Sequence, residues 1–301
     1  MYEVSKMKIL VKPQRIIKAS ANPLRARRVY SVEEINDEAD DTEFGDPDDE
    51  VVSDDVEEAF NQLVQKLRDA SYEELGDALE DVVSDPKLYA LLKEGFGDGD
   101  LANVKMSAQP TAIAVTQLLP TQSEIGLDNS LKYPLSQDCS KLFNSPVTIV
   151  TPIVTYRKTF VIDGHHRWSQ LFMMNPDAKI TAINFNYTEQ SPFRALRNFQ
   201  GAIAVAHGEV PKQFSKVNNV YDMSDSAIEK YVDENISDAC WQSLVDVGVA
   251  EDRDSAIDYI LDNIAQLQAE NKPYGDAPAR EYMPQTNEKS IEIAKEGQTN
   301  I

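Results

Sequence analysis

The stretch "FVIDGHHRWSQLFMMN", residues 160–175, changes its hydrophobic period halfway along, and that change decides how the rest of the chain is read. Phe160, Val161 and Ile162 are aromatic or β-branched and lead into Asp163 as a strand. Gly164 permits a sharp change of direction. Trp168, Leu171 and Phe172 then recur at helical spacing, and Asn175-Pro176 stops the helix. A strand hands over to a helix here, and His165, His166 and Arg167 fall in the first helical turn.

Two of the chain's three histidines therefore stand side by side at a helix start. The first backbone N–H groups of a helix lack partners, and the helix dipole favours an anion there. Arg167 can hold phosphate oxygens in a planar fork, while His165 and His166 can donate hydrogen bonds or move a proton near neutral pH. The pattern points to a phosphate. Asp163 carries the wrong sign to touch one, so it is expected to cap the helix, with contact to a magnesium ion as a further role. Zinc fits poorly, because adjacent helical histidines cannot both face one ion and no cysteine or third histidine lies close in sequence. The plainer alternative is a histidine pair that only satisfies a tight turn. His207 reads as the C-terminal partner of a helix dipole rather than a catalytic group.

Outward from this junction, residues 101–220 alternate strand and helix signals. "TAIAVTQLL" (111–119), "VTIVTPIVTY" (147–156) and "KITAINFNY" (179–187) are strand-like, and "RKTFVID" (157–163) returns from a short turn. Helices are expected at "SQDCSKLFN" (136–144), at "HHRWSQLFMMN" and at "SPFRALRNFQGAIAVAHG" (191–208). The last has Ser191 as N-cap, Pro192 at its first position and Gly208 as its stop. The expected fold class is a small α+β domain with a mixed sheet.

The flanks are different in kind. Residues 1–30 carry eight Lys/Arg against one acid, and 31–60 carry fifteen acids with no base, so 1–54 reads as a basic, then acidic, disordered arm. From Asp55 to 100 an acidic helical segment follows: Val56, Phe60, Leu63, Val64 and Leu67 share a stripe, Ser71 and Glu74 form a capping box, and a Pro-initiated helix ends at Gly95. "GFGDGD" (95–100) lacks the strand before and helix after that a phosphate loop requires, and reads as a linker. Residues 221–270 are helical and acidic, with Ile257, Ile260, Leu261, Ile264 and Leu267 forming a stripe, and 271–301 reads as a tail in which "APAREYMPQ" (277–285) has the option of lying back on the surface.

The net charge of -22 argues against general attraction to nucleic acid or anionic lipid, yet 101–220 alone balances at +4 while 221–270 balances at -11. No apolar run approaches the ~20 residues of a membrane span, and the first residues lack a secretory core, so a soluble, cytoplasmic protein is expected. Cys139 and Cys240 follow no metal or disulfide spacing and read as buried free thiols.

Strand, D-G-H-H-R, helix resembles the signature of the ParB/sulfiredoxin-like superfamily, above all its free serine kinase and ParB-like nuclease branches. "VTQLLPTQSEI" (115–125) resembles that family's opening strand and turn, so the resemblance covers about 107–210. It implies a compact mixed-sheet fold in which Asp163, Gly164, His165, His166 and Arg167 form a phosphate site for ATP or ADP with Mg2+. Glu124 stands where the kinase branch has an early acid near the reacting hydroxyl, which with His165 and His166 completes the expected catalytic set. Two departures matter. His165 occupies the place of the sulfiredoxin cysteine, and an acidic region follows where chromosome-partitioning members carry a DNA-reading domain. "LLPTQSEIG" and "MPQT" are also similar to ParB-like proteins of tailed phages, which implies a host-cytoplasmic or virion setting. The expected function is nucleotide-dependent phosphotransfer or hydrolysis; the alternatives are a ParB-like nuclease or DNA-binding module, or a non-catalytic protein whose acidic helices bind a partner.

Overall fold

The computed structural model describes residues 54–94, 107–143, 147–186, 191–210 and 217–296. Apart from its last residue, the arm expected over 1–54 lies outside them, as does the "GFGDGD" linker.

The strand-to-helix junction belongs to a mixed five-stranded sheet. Strands β3 (Val147–Tyr156) and β4 (Phe160–Asp163) form an antiparallel hairpin. Its corner residues Arg157 and Lys158 have φ of 53° and 56°, the left-handed pair that matches strand twist. Non-glycine residues hold that conformation only when anchored. Here the Lys158 N–H donates to Asn184 Oδ1 at 2.6 Å and the Arg157 N–H to the Phe185 carbonyl at 2.8 Å.

After β4 the chain enters helix α5 (His165–Met174) and returns as β5 (Lys179–Asn186), parallel to β3. β1 (Ser107–Ala114) runs antiparallel on the outer side of β5, and β2 (Leu119–Pro120) pairs parallel with β4. The order is β1-β5-β3-β4-β2. The protein is thus α+β, as the alternation of periods predicts.

Side chains alternate across the sheet because strand residues point to opposite faces in turn. Ile153, Val161, Ile180 and Ala182 face one layer, where they pack with Trp168, Leu171 and Phe172 of α5. Helices α4 (Leu127–Leu135), α7 (Asp225–Asn235), α8 (Asp238–Asp246) and α9 (Arg253–Glu270) close the same cluster through Leu131, Val232, Leu244, Ile260 and Ile264. Val154, Tyr156, Ile162 and Phe185 face the other layer, against Leu196 and Phe199 of α6 (Pro192–His207) and Ala294 of α10 (Glu288–Glu296). Trp168 is wholly buried and its Nε1–H donates to the Val115 carbonyl at 2.9 Å. Truncating such a side chain to alanine typically costs about 3–5 kcal/mol.

The second half of helix α6, residues 201–206, is apolar on every side, which is the pattern of a helix buried on several sides. Its far side uses Ala204 and Val205 to receive Leu75, Leu79 and Val82 of α2 (Glu74–Ser84), together with Leu67 of α1 (Asp54–Asp69) and Leu92 of α3 (Pro86–Glu94). The expected caps are present. Ser71 N–H donates to Glu74 Oε2 at 2.9 Å while Glu74 N–H donates to Ser71 Oγ at 3.2 Å. Ser191 Oγ accepts from the Arg194 N–H, and Gly208 ends α6 with φ of 68°.

Two local readings change. The helix expected over 136–144 is a short 3₁₀ turn, Ser140–Leu142, and the α-helix lies before it in α4. Buried Leu127, Leu131 and Leu135 at helical spacing decide that placement, although Pro134 removes one backbone donor from the last turn. Beyond it, the Ser140 N–H is taken by the Asp138 carboxylate at 2.8 Å, a local bond that competes with helix formation. The strand expected over 111–119 is also interrupted. β1 ends at Ala114, and a 3₁₀ turn over Val115–Gln117 precedes β2.

Cys139 and Cys240 are free, buried thiols whose Sγ atoms lie 3.7 Å apart. Among the described residues no helix is long and apolar enough to cross a membrane.

Candidate functional site

Gly164 makes the turn from β4 into α5 with φ of 94° and ψ of 27°, and no side chain caps the helix behind it. The expected cap, Asp163, is engaged elsewhere. Its Oδ2 accepts from Thr286 Oγ1 at 2.6 Å and from the Thr286 N–H at 3.1 Å, with the Arg167 guanidinium 3.8 Å away. The capping role is therefore corrected. A left-handed residue between Asp163 and the helix turns the carboxylate outward, where the chain's C-terminal segment meets it.

His165 is buried to 4% exposure, and both ring nitrogens are spent on the fold. Nε2 accepts from the Thr121 N–H at 3.2 Å, and the opposite ring N–H donates to the Val161 carbonyl. Thr121 Oγ1 reaches the same carbonyl at 2.6 Å. Together they staple the loop after β2 to β4. Burial, followed by the neighbouring His166, pushes the His165 pKa down to about 3. A ring so held neither gives nor takes a proton near neutrality, so the expected catalytic role of His165 is replaced by a structural one.

His166 differs in one respect. Its Nε2 is buried and has no hydrogen-bond partner. Burial, then the positive charge of Arg280, lowers its pKa to about 4, so the ring is neutral at pH 7. Arg167 folds back over Gly164, with Nη1 donating to the Pro152 carbonyl at 2.8 Å, and keeps a third of its side chain exposed.

Arg280 joins the candidate site without any signal in the sequence. It follows a proline-rich segment without helical or strand period, and nothing in its neighbours marks it. Residues 274–286 run along the site: the Tyr274 N–H donates to the Pro120 carbonyl at 2.9 Å, and the Ser123 N–H to the Pro278 carbonyl at 2.9 Å. The Arg280 N–H donates to Glu124 Oε2 at 3.3 Å, and with the Asn129 carboxamide turned to accept, its Nη1 and Nη2 lie 2.8 and 3.2 Å from that oxygen. Glu124 is thus beside Arg280, and Arg280 beside His166. Glu124 is linked to the motif residues through this segment and not directly.

The arrangement offers an uncapped helix start, a neutral imidazole with one idle nitrogen, and two guanidinium groups. These are donors for a compact anion. Asp163 is the carboxylate nearest the helix start, and among the described residues no group of three or more His, Cys, Asp or Glu is placed to hold a metal ion. A magnesium ion would fit here only as part of a nucleotide complex, held by Asp163 and phosphate oxygens together. Compared with known proteins, the chain matches no family model, no curated protein and no solved structure.

Proposed function

We propose that the start of α5 binds the terminal phosphates of ATP or ADP, and that the protein is a nucleotide-dependent phosphotransferase or phosphohydrolase. The observation that carries this reading is the His166 Nε2, buried without a partner at a helix start that no side chain caps. Leaving such a group unsatisfied costs about 1–3 kcal/mol. A phosphate oxygen would satisfy it along with the first-turn N–H groups. The resemblance to the ParB/sulfiredoxin-like superfamily supports the same ligand at the same residues.

In this reading His166 donates through Nε2 to a phosphate oxygen, and Arg167 and Arg280 neutralise charge. Magnesium, when bound with the nucleotide, would draw charge from the phosphates, with Asp163 as its protein ligand. Glu124 is the candidate base for an acceptor hydroxyl. That role requires its carboxylate to release the Arg280 N–H.

A second reading is favoured by a specific observation. His165 is locked at both nitrogens and Glu124 is occupied, so the site is better equipped to hold a phosphate than to move a proton. The protein would then be a non-catalytic phosphate-binding module. Thermal unfolding with ATP, ADP and inorganic phosphate, each with magnesium, tests both. Nucleotide at about 100 times Kd adds about 2.7 kcal/mol, or roughly 5–10 °C in Tm for a chain this size. The shift should vanish in His166→Ala. No shift with any phosphate would end both readings, and a shift without phosphate release or transfer would leave the second.

A further inference from the structure

A separate cavity of about 360 Å³ lies between α2, α6 and the C-terminal segment. Its inner wall is formed by Tyr72, Leu75, Leu79, Gln200, Val210 and Tyr282. Five carboxylates, those of Glu73, Asp77, Glu80, Glu209 and Glu281, stand around it, and no Lys, Arg or His lines it. Three of them act on the Tyr282 hydroxyl. The Tyr282 hydroxyl is pushed up by its bond to Glu281, by burial, and by the charges of Glu281, Glu73 and Asp77.

Two polar atoms in the wall are unsatisfied. Gln200 is 6% exposed, and its Nε2 is spent on the Tyr282 carbonyl, which fixes the amide with Oε1 as an idle acceptor. The Tyr72 hydroxyl is buried beside the Gln200 amide, which acts on the phenol as a neighbour, but their contact falls outside hydrogen-bonding geometry and no other partner reaches either atom. Buried polar atoms without partners are rare in folded proteins, and each calls for a cause, an absent bound species among them. An acceptor such as Oε1 calls for a donor.

The ligand must bring N–H donors, positive charge and an apolar stem to lie on Leu75, Leu79 and Val210. A single divalent ion does not fit, because the carboxylates ring the cavity instead of converging on one point. The volume is at the low end of the roughly 300–1,000 Å³ of small-molecule sites, which suits a slender molecule. We propose that this cavity binds a linear polyamine. One terminal ammonium donates to Gln200 Oε1 and the Tyr72 oxygen, the methylenes cover the leucines, and the remaining ammonium groups meet the rim carboxylates.

A chain of charge -22 attracts any cation, so the test must separate a site from diffuse attraction. Spermidine is titrated into the full chain by calorimetry at about 0.15 M salt, where long-range attraction is screened. The proposal expects saturable one-to-one binding that weakens tenfold or more in the double variant Glu73→Gln, Asp77→Asn, whose residues are exposed and outside any core. It expects a loss of at least threefold in Tyr72→Phe, which keeps the ring and removes the oxygen. The control double variant Asp258→Asn, Asp262→Asn on the exposed face of α9 removes the same charge and should change affinity less than twofold. Equal weakening in both double variants, or no saturable binding in the wild-type chain, would overturn the proposal.

Discussion

At Gly164 the backbone has φ of 94°, and a Cβ built there would lie 2.6 Å from Ile153 Cγ2 and 2.9 Å from Arg167 Nη2. Gly164→Ala therefore combines left-handed strain with a clash against a β-branched side chain that is itself buried. Urea denaturation at pH 7 should show a loss of about 2–4 kcal/mol. A loss below about 1 kcal/mol would mean that the turn relaxes and does not fix the site. The two histidines make a second prediction at this scale. Both are held neutral in the folded chain, with pKa values of about 3 and about 4. An unfolded histidine takes up a proton near pH 6.5. Above that pH neither state is charged and nothing is lost, whereas below it the unfolded state gains protons that the native state refuses, so stability falls with falling pH. Between pH 6.5 and 5 each ring contributes a slope of up to about 1.4 kcal/mol per pH unit. His166→Gln should remove about half of the histidine part of that slope, as read from urea midpoints across the range. An unchanged slope would show that the ring is not held neutral.

The C-terminal segment and α10 form the element on which the site depends. Met283 and Ala294 are buried in the cluster under α6, Asn271 Nδ2 donates to the Thr116 and Leu118 carbonyls at 3.0 and 2.8 Å, and Lys289 Nζ donates to the Ala206 carbonyl at 2.6 Å. Thr286 is the attachment nearest the motif. Thr286→Val removes the hydroxyl bond to the Asp163 carboxylate, a charge-assisted contact of about 1.5–3 kcal/mol. Hydrogen exchange should quicken over 280–287 while amides in the middle of α9 keep their protection; uniform change across both would contradict a local fastening. Much of the element level was legible in the chain itself. Ser71 with Glu74, Ser191 with Pro192 and Gly208, and the switch of period at Asp163-Gly164 are local signals, and local hydrogen bonds realise them. The partner of Asp163 escapes a local reading for the same reason. The carboxylate's expected partner is the nearest helix, while its actual partner is Thr286, which lies over a hundred residues along the chain.

For the whole molecule, the decisive contacts come from elements distant in sequence. Arg280 donates to Glu124 and its charge acts on His166, and Cys139 meets Cys240, with no spacing or composition to announce any of the three pairs. The acidic helices α7 to α9 were equally hard to place from charge, yet their apolar stripe joins the same cluster as the sheet and α5. That puts the -11 balance of 221–270 on the body that carries the sheet and α5. Duplex DNA is expected to stay unbound by the full chain at about 0.15 M salt in a mobility-shift assay. Retention that collapses steeply as salt rises would instead favour a nuclease or DNA-binding role.

The claim that the α5 start holds a phosphate is tested most directly by following the His166 imidazole through a pH titration by NMR, with the resonance assigned using His166→Gln. Without ligand its pKa should lie near the depressed value of about 4. With saturating ATP and magnesium, or inorganic phosphate, an anion a hydrogen bond away should raise it by about 1–3 pH units. A titration curve that does not move at saturating phosphate and nucleotide would contradict the account.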